Sequence, residues 1–246
     1  MARISAYHRP SSVEDALALL HRSTVRTMVL GGGTIVVPSR FEVPTEVVDL
    51  QSCGLAGIVV EGTAARFGAT TTLDTIADDE ALPFVLRDAA RREQPSTLRT
   101  LATIGGVVVG GHGESELLAA LLAFDAVVTF VNGTGAHTSP LDDALGDPSV
   151  LHGAIVTAVE ARIDGHASAA RTGRTPFDTP IVAVVGRRRP DGSVIAAATG
   201  VATTPVLISD PAGLEPPGDF RGSPEYRLHL VVELAARVRV ALEVLA

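Results

Sequence analysis

Two glycine-rich segments, about seventy residues apart, constrain this chain more than any other feature. The first is LGGGT at residues 30–34, and the second is LATIGG at 101–106, with more glycines at 110, 111 and 113. Consecutive glycines let backbone N–H groups converge on one concavity and let a ligand approach without a Cβ in the way. One triple glycine alone is more often a turn. Two such segments together favour a site for the phosphates of a dinucleotide.

Other phosphate-binding motifs are missing from the sequence. It has no G-x-x-x-x-G-K-[ST] and no G-x-G-x-x-G between a strand and a helix. These motifs identify P-loop nucleotidases and Rossmann dehydrogenases respectively. The sequence therefore disfavours both classes.

Composition disfavours further classes of function. The 246 residues carry a formal net charge of −8, which disfavours a general nucleic-acid binder. Cys53 is the single cysteine, so the chain has no internal disulfide, and an iron-sulfur cluster or zinc site that needs several thiolates is excluded. The sequence begins without a signal-peptide-like apolar core, and Asp125 interrupts its longest apolar stretch, near 117–131. We expect a soluble cytoplasmic protein with no stable membrane insertion.

Local patterns predict a mixture of helices and strands in the first half. Ser11 and Glu14 have capping-box spacing at the start of an early helix. Apolar spacing predicts another helix over 78–92, in which Pro83 must lie in the first turn. The segment 96–131 is predicted to run from a loop, through the double glycines, into a helix capped near Ser115 and then a buried strand.

The second half predicts antiparallel strands and a final helix. The stretches 181–200 and 201–208 read as consecutive strands with a hairpin at PDG, 190–192. The basic cluster Arg187–Arg189 reads as a solvated end of that hairpin. Ser223 and Pro224 form an N-cap and N1 pair that opens a long helix. Together these patterns predict two α+β lobes with a boundary near residue 165.

The motifs occur in an order that resembles a known family. LGGGT is followed by GATTT at 68–72, STLRTLATIGG at 96–106 and SELLAALLAFDAVV at 115–128. TGVATTPVLI at 199–208 and GSPEYRLHL at 222–230 complete the series. This order resembles the flavin-binding subunit or domain of the molybdenum hydroxylases, which includes the medium subunit of carbon monoxide dehydrogenase and the middle domain of xanthine dehydrogenase. It extends over nearly the whole chain.

The resemblance implies a fold and a domain organisation. The fold is α+β: a two-lobed FAD-binding domain of the PCMH/vanillyl-alcohol-oxidase type, then a smaller α+β domain with a three-stranded antiparallel sheet and helices. The FAD-binding domain is expected over 1–165, with subdomains at about 1–55 and 56–165. The C-terminal domain, of the carbon monoxide dehydrogenase flavoprotein type, is expected over 166–246.

The resemblance also implies a cofactor site. The two glycine segments would hold the FAD diphosphate, with backbone contacts that include Ile104, and Glu116 takes the place of an acidic residue that helps to hold the nucleotide. The implied cofactor-binding residues are Leu30, Gly31, Gly32, Gly33, Thr34, Ile35, Thr103, Gly105, Gly106, Val107, Ser115 and Glu116. Ile35 and Val107 depart from the family, which usually has polar residues at these two positions. The implied site has no catalytic residue and no metal.

The implied function is electron transfer within a heteromeric oxidoreductase. A large molybdopterin-binding subunit would hydroxylate the substrate, and a small [2Fe-2S] subunit would pass electrons to FAD on this chain and from there to an external acceptor. A dimer of heterotrimers is the implied assembly. Because Ile35 and Val107 remove polar groups, the alternative is a flavin-poor member that serves as a structural or assembly subunit. A free-standing flavoenzyme is a third possibility, for which the sequence offers no catalytic set.

Several other residues are candidates for catalysis, ligand contact or metal binding. His112, in GGHGES, is interpreted as a solvated loop histidine, and its role as a flavin neighbour or a proton relay is the minority interpretation. Asp142 and Asp143 fit the first turn of a short helix better than acid–base catalysis. Arg171 and Arg174 lie between the lobes, where a surface salt bridge is favoured over a phosphate contact. His137, His152 and His166 lack an i, i+4 partner, so no metal site is predicted.

Overall fold

The computed structural model describes residues 4–37, 39, 41–173, 175 and 178–245. The helices in this part of the chain are α1 (Val13–Leu20), α2 (Leu73–Asp78), α3 (Phe84–Glu93), α4 (Ser96–Arg99), α5 (Ile104–Gly110), α6 (Glu116–Ala123), α7 (Leu141–Gly146) and α8 (Pro224–Val244). The strands are β1 (Ile4–His8), β2 (Arg26–Leu30), β3 (Thr45–Asp49), β4 (Ile58–Glu61), β5 (Ala64–Gly68), β6 (Val127–Asn132), β7 (Gly135–Pro140), β8 (Ile155–Arg162), β9 (His166–Arg171), β10 (Ala183–Arg188), β11 (Val194–Thr199) and β12 (Val206–Leu207).

A small parallel sheet occupies the N-terminal part. Its strand order is β1-β3-β2, and α1 connects β1 to β2. Ala16 of α1 is buried with Val48 and Leu50. The N-cap of α1 is Ser12, whose side chain accepts a hydrogen bond from Asp15 N, so the predicted cap at Ser11 is wrong by one residue. Because β2 ends at Leu30, this sheet delivers the chain directly into the first glycine segment.

A five-stranded antiparallel sheet forms the centre of the molecule. Its order is β4-β5-β8-β6-β7, and helices α2, α3, α5 and α6 contribute to the core beside it. All eight residues of α6 are buried, because this helix contacts α3 and also β10 and β11 of the next sheet. The start of α6 therefore lies where the two parts of the chain meet.

The C-terminal part contains a second antiparallel sheet. Its three long strands, β9, β10 and β11, follow one another in space, and the two-residue β12 extends the edge beside β11. Helix α8 packs on this sheet through an apolar stripe that includes Val231, Leu234 and Val238. The predicted cap at Ser223 is confirmed, since its side chain accepts from Tyr226 N.

Two predicted helix positions are corrected. The helix expected over 78–92 begins only at Phe84, with Pro83 as its N-cap rather than in its first turn, and Asp78 is instead the last residue of α2. The double glycines at 105 and 106 lie inside helix α5 rather than in a loop. Thr103 caps α5 by accepting from Gly106 N, which offsets part of the low helix propensity of the glycines.

The prediction for Arg187, in the basic cluster before the hairpin, is also wrong. Arg187 is buried, whereas a solvated hairpin end was predicted. Its Nη1 lies 3.0 Å from Asp125 Oδ2 and its Nη2 lies 3.0 Å from Asp164 Oδ1. Arg189 also pairs with Asp125. These ion pairs join the end of β10 to the α6–β6 junction and to the β8–β9 turn.

No helix in the described ranges is long and apolar enough to cross a membrane.

Candidate functional site

The two glycine segments lie together in one cavity of about 350 Å³. The first segment reaches it from the end of β2, and the second from the start of α5. Parts of α1, the loop after β5 and the stretch 151–156 complete the lining. The volume lies within the range of small-molecule sites. The structure thus brings together two segments that the sequence separates by about seventy residues.

The first segment presents backbone donors. After β2 ends, the amides of Gly32, Gly33 and Thr34 donate to no acceptor among the described residues. Gly33 has a φ of +75°, a left-handed conformation that glycine adopts without strain. Its carbonyl accepts from Val37 N at 3.0 Å, which closes a turn. Unpaired amides beside a cavity suit an anionic group such as a phosphate.

The second segment lines the cavity, but its backbone amides already donate hydrogen bonds within the protein. Ile104 N donates to Thr71 O at 3.0 Å, and Gly105 N donates to Ala69 O at 2.9 Å. Gly106 N donates to Thr103 Oγ1 at 3.3 Å. The amides expected to contact a cofactor here are therefore engaged within the protein. Their contact with a ligand stays a prediction.

Close packing explains why the two segments need glycine. A Cβ built on Gly32 would lie 1.6 Å from the carbonyl oxygen of Leu101. A Cβ on Gly105 would lie 2.8 Å from the carbonyl oxygen of Ala69. Both obstacles are backbone atoms, which cannot move aside as a flexible side chain can. The glycines thus shape the cavity by letting the segments touch.

The predicted site residues divide into three groups. Nine line the 350 Å³ cavity: Gly31, Gly32, Gly33, Thr34, Ile35, Thr103, Gly105, Gly106 and Val107. Leu30 is the last residue of β2 and does not line the cavity. Ser115 and Glu116 line a second cavity of about 180 Å³ instead. The two departures from the family pattern, Ile35 and Val107, thus both face the first cavity.

Glu116 is held by an arginine from the C-terminal sheet. Arg171 Nε donates to both carboxylate oxygens, at 3.0 and 3.1 Å, and Arg171 Nη2 lies 3.0 Å from Oε1. Burial raises the pKa of Glu116, and the charge of Arg171 opposes that rise. The salt bridge predicted for Arg171 is thus present, but it is a partly buried pair that joins β9 to α6 rather than a surface pair. Arg174 lies outside the described residues.

Glu93 is a site residue that the sequence interpretation missed. Its Oε2 accepts from Ser115 Oγ at 2.9 Å and from Leu117 N at 3.3 Å. Burial raises the pKa of Glu93 to about 7, and the nearby charge of Glu116 adds to the rise. A signal was present, because Glu93 follows Leu86 and Ala89 at i+7 and i+4 on the buried stripe of α3.

Three side chains line both cavities: Glu93, Gln94 and His112. His112 is exposed, and its position next to the first cavity leaves the minority interpretation, a neighbour of the cofactor, as a hypothesis. The two cavities are therefore neighbours that share one polar wall.

The other candidate residues lie in a helix turn or in a hairpin, where their contacts are structural. Asp142 and Asp143 lie in the first turn of α7, as predicted. His137 contacts Asn132 and Thr134 in the β6–β7 hairpin. Within the described part of the chain, no group of three or more His, Cys, Asp or Glu side chains is arranged to hold a metal ion.

Curated relatives match this chain over different lengths. YgfM, an uncharacterized protein of Escherichia coli K12, is 33% identical over 147 residues, covering 59% of this chain and 55% of YgfM. The carbon monoxide dehydrogenase medium chain of Afipia carboxidovorans is 30% identical over 161 residues, covering 63% of this chain and 54% of that one. In these matches the chain spans about half the length of the relatives. The putative xanthine dehydrogenase FAD-binding subunit XdhB of Escherichia coli K12 is 25% identical over 97% of this chain and 96% of that one.

Solved structures share the fold along the whole chain. A chain of the carbon monoxide dehydrogenase from Hydrogenophaga pseudoflava superposes with a TM-score of 0.88 at 22% identity and covers 99% of both chains. A chain of quinoline 2-oxidoreductase from Pseudomonas putida 86 gives 0.83 at 18% identity and 98% coverage of both. The predicted α+β, two-lobed FAD-binding fold with its smaller C-terminal α+β part is thereby confirmed.

A family match covers well over half of the chain. Residues 2–161 match the family described as the FAD binding domain in molybdopterin dehydrogenase. This range contains both glycine segments and both cavities' main walls. The chain therefore belongs to the family of FAD-binding domains of the molybdopterin dehydrogenases.

Proposed function

We propose that this chain binds FAD in the 350 Å³ cavity and serves as the electron-transfer subunit of a molybdenum hydroxylase-like oxidoreductase. The observation that carries the proposal is the first glycine segment. The amides of Gly32, Gly33 and Thr34, which donate to no acceptor among the described residues, lie beside a cavity that the second segment also lines. Family membership supports FAD as the ligand.

The residues present fit this cofactor. The three amides would hold the diphosphate, since backbone donors at a glycine turn suit anionic oxygens. Apolar side chains, among them Met28, Val107 and Val156, line much of the rest of the cavity. Bound FAD supplies the electron-accepting chemistry. The chain's own contribution is to bind and orient the cofactor, which requires no acid–base constellation.

The proposed partners are a large molybdopterin-binding subunit and a small [2Fe-2S] subunit, assembled as a dimer of heterotrimers in the cytoplasm. The substrate would react on the large chain, and electrons would pass from the small chain through FAD to an external acceptor. The names of the relatives support a heteromeric assembly, because one is a medium chain and another an FAD-binding subunit. The single cysteine of this chain agrees with clusters on another chain.

We also propose the domain division predicted from the sequence. The FAD-binding domain would cover 1–165 and the C-terminal domain 166–246. Two observations support this boundary. The family match ends at residue 161, and the C-terminal sheet begins at His166.

Flavin content tests the proposal. The purified chain is expected to show absorbance bands at about 370 and 450 nm, or to take up added FAD with quenching of flavin fluorescence. A colourless chain that also fails to bind added FAD would overturn the proposal. If that chain still copurifies with a large molybdopterin chain, the alternative holds, namely a flavin-poor structural or assembly subunit. Ile35 and Val107, the apolar residues at the cavity, favour this second candidate.

A further inference from the structure

The wall between the two cavities contains a carboxyl group with one free oxygen. Glu93 lines both cavities, and its Oε2 is engaged by Ser115 Oγ and Leu117 N. Oε1 takes part in no hydrogen bond with the described residues. Of the described residues that line the first cavity, Glu93 and His112 are the titratable ones. A ligand in that cavity would therefore lie beside Glu93, whose Oε1 has no partner among the described residues.

Among the described residues, no cation forms a hydrogen bond or an ion pair with this carboxyl group. The described charged and titratable groups that share the second cavity with it come from its own helix, from α6 and from the segment before α6; they are Arg92, Glu116, His112 and Glu114. Arg92 is engaged by Asp88 at 2.8 Å, and Arg171 of β9 pairs with Glu116. Helix α5 and the first glycine segment supply no titratable side chain. Burial and the charge of Glu116 favour the neutral form of Glu93, whereas the hydrogen bonds from Ser115 and Leu117 favour the ionised form, and the balance raises its pKa to about 7.

We propose that Glu93 is a cofactor-binding residue that acts in its protonated form, donating a hydrogen bond from Oε1 into the cavity and taking up a proton when FAD binds. This inference rests on the proposed function. A diphosphate brings negative charge into the same cavity, and an ionised Glu93 would repel it. A neutral carboxyl group instead supplies a donor where Ile35 and Val107 supply none.

The proton balance fixes the pH dependence. The pKa of Glu93 is about 7 without ligand, and an anionic ligand raises it further. Between the two values, each FAD that binds takes up one proton, so the dissociation constant rises with pH. Above pH 7 the rise is expected to reach about tenfold per pH unit. Below pH 7 the constant levels off, because Glu93 is already protonated.

The experiment is an FAD titration of the full chain, freed of bound flavin, from pH 6 to pH 8.5. Calorimetry in buffers of different ionisation enthalpy measures the proton uptake directly. Glu93→Gln is nearly isosteric, keeps an acceptor for Ser115 and Leu117, and places an amide donor at Oε1. We expect E93Q to bind FAD with the low-pH affinity of the wild type at every pH and to take up no proton. Circular dichroism and thermal unfolding confirm that the variant folds.

Two control variants separate Glu93 from other groups. His112→Asn removes the other titratable side chain of the cavity, and Glu80→Gln removes one exposed negative charge outside both cavities. Both are expected to keep the wild-type pH dependence. A slope that vanishes in H112N, or that persists in E93Q, overturns the inference while FAD binding itself stands. FAD binding without proton uptake does the same. A wild-type chain that binds no FAD at any pH overturns the proposed function as well.

Discussion

Gly32 packs directly against the backbone carbonyl of Leu101, with no room for a methyl group between them. This contact joins the first glycine segment to the first residue of the second one. It is a property of the folded chain rather than of either motif alone. The glycines of this site therefore have a packing role as well as any role in holding a ligand.

Substituting Gly32 by Ala is expected to separate the two segments. A Cβ cannot be accommodated without backbone movement, so we expect a loss of about 1 to 3 kcal/mol of stability. FAD affinity is expected to fall at least tenfold, roughly 1.4 kcal/mol. Urea unfolding and FAD titration measure the two effects. Gly146→Ala is the control, because a Cβ there meets open space, and its stability should change by a few tenths of a kcal/mol. Wild-type FAD affinity in G32A would contradict the packing role.

The stability of the ligand-free chain is expected to depend on Glu93 and pH. Its pKa is raised to about 7 from the ordinary 4.5, so the folded state binds this proton more tightly than the unfolded state. The wild type therefore loses stability as pH rises from 4.5 to 7, and the loss remains above pH 7. E93Q lacks this loss and should be more stable than the wild type by about 1 to 3 kcal/mol at pH 8.

Urea unfolding at pH 4 and pH 8 checks this difference. At pH 4 both forms carry a neutral side chain at position 93, and the two stabilities should agree closely. Glu80→Gln, on the exposed surface, should track the wild type at both values. An E93Q variant that is less stable than the wild type at pH 8 would show that Glu93 is ionised and favourably bound there.

Much of the fold and the cavity could be predicted from local signals. Ser115 and Ser223 cap helices as their sequence contexts indicate, and two glycine segments predicted one shared site. Local signals failed where tertiary contacts decide. Arg187 belongs to a basic cluster that is typical of a solvent-exposed segment. It is nevertheless buried, because it pairs with Asp125 and Asp164, which are distant from it in the sequence. The residues that hold a ligand and the domain boundary stay predictions.

Helix α5 and Glu93 illustrate the same limit at the site. Three glycines in seven residues argue against a helix, but α5 forms because Thr103 caps it and Ile104 and Val108 are buried in the core. Glu93 lies in RREQP, which is typical of an exposed helix end. Its carboxyl group faces the cavities only because the start of α6 packs against the end of α3 and supplies two donors.

Removing the charge of Arg187 is expected to destabilise the chain strongly. Arg187→Met leaves Asp164 and one side of Asp125 without their buried cation, and such losses cost about 3 to 5 kcal/mol. Urea unfolding measures the change. Arg188→Met, at the next position of β10 and partly exposed, is the control and should cost less than about 1 kcal/mol. Equal effects of the two substitutions would mean that the buried ion pairs contribute nothing specific.

Restoring a polar side chain at Val107 is expected to trade stability for cofactor affinity. Val107 is buried and lines the cavity, so an Asn amide there lacks partners in the ligand-free chain and should cost about 1 to 3 kcal/mol. With FAD present, the amide gains a polar ligand beside it, and affinity should rise about tenfold. Val107→Leu is the apolar control, which changes size without adding a hydrogen-bonding group and should not raise affinity. Unfolding without FAD and titration with FAD separate the two effects. If V107N lowers stability and leaves FAD affinity unchanged, the amide does not reach the cofactor, and the departure at Val107 has no bearing on flavin binding.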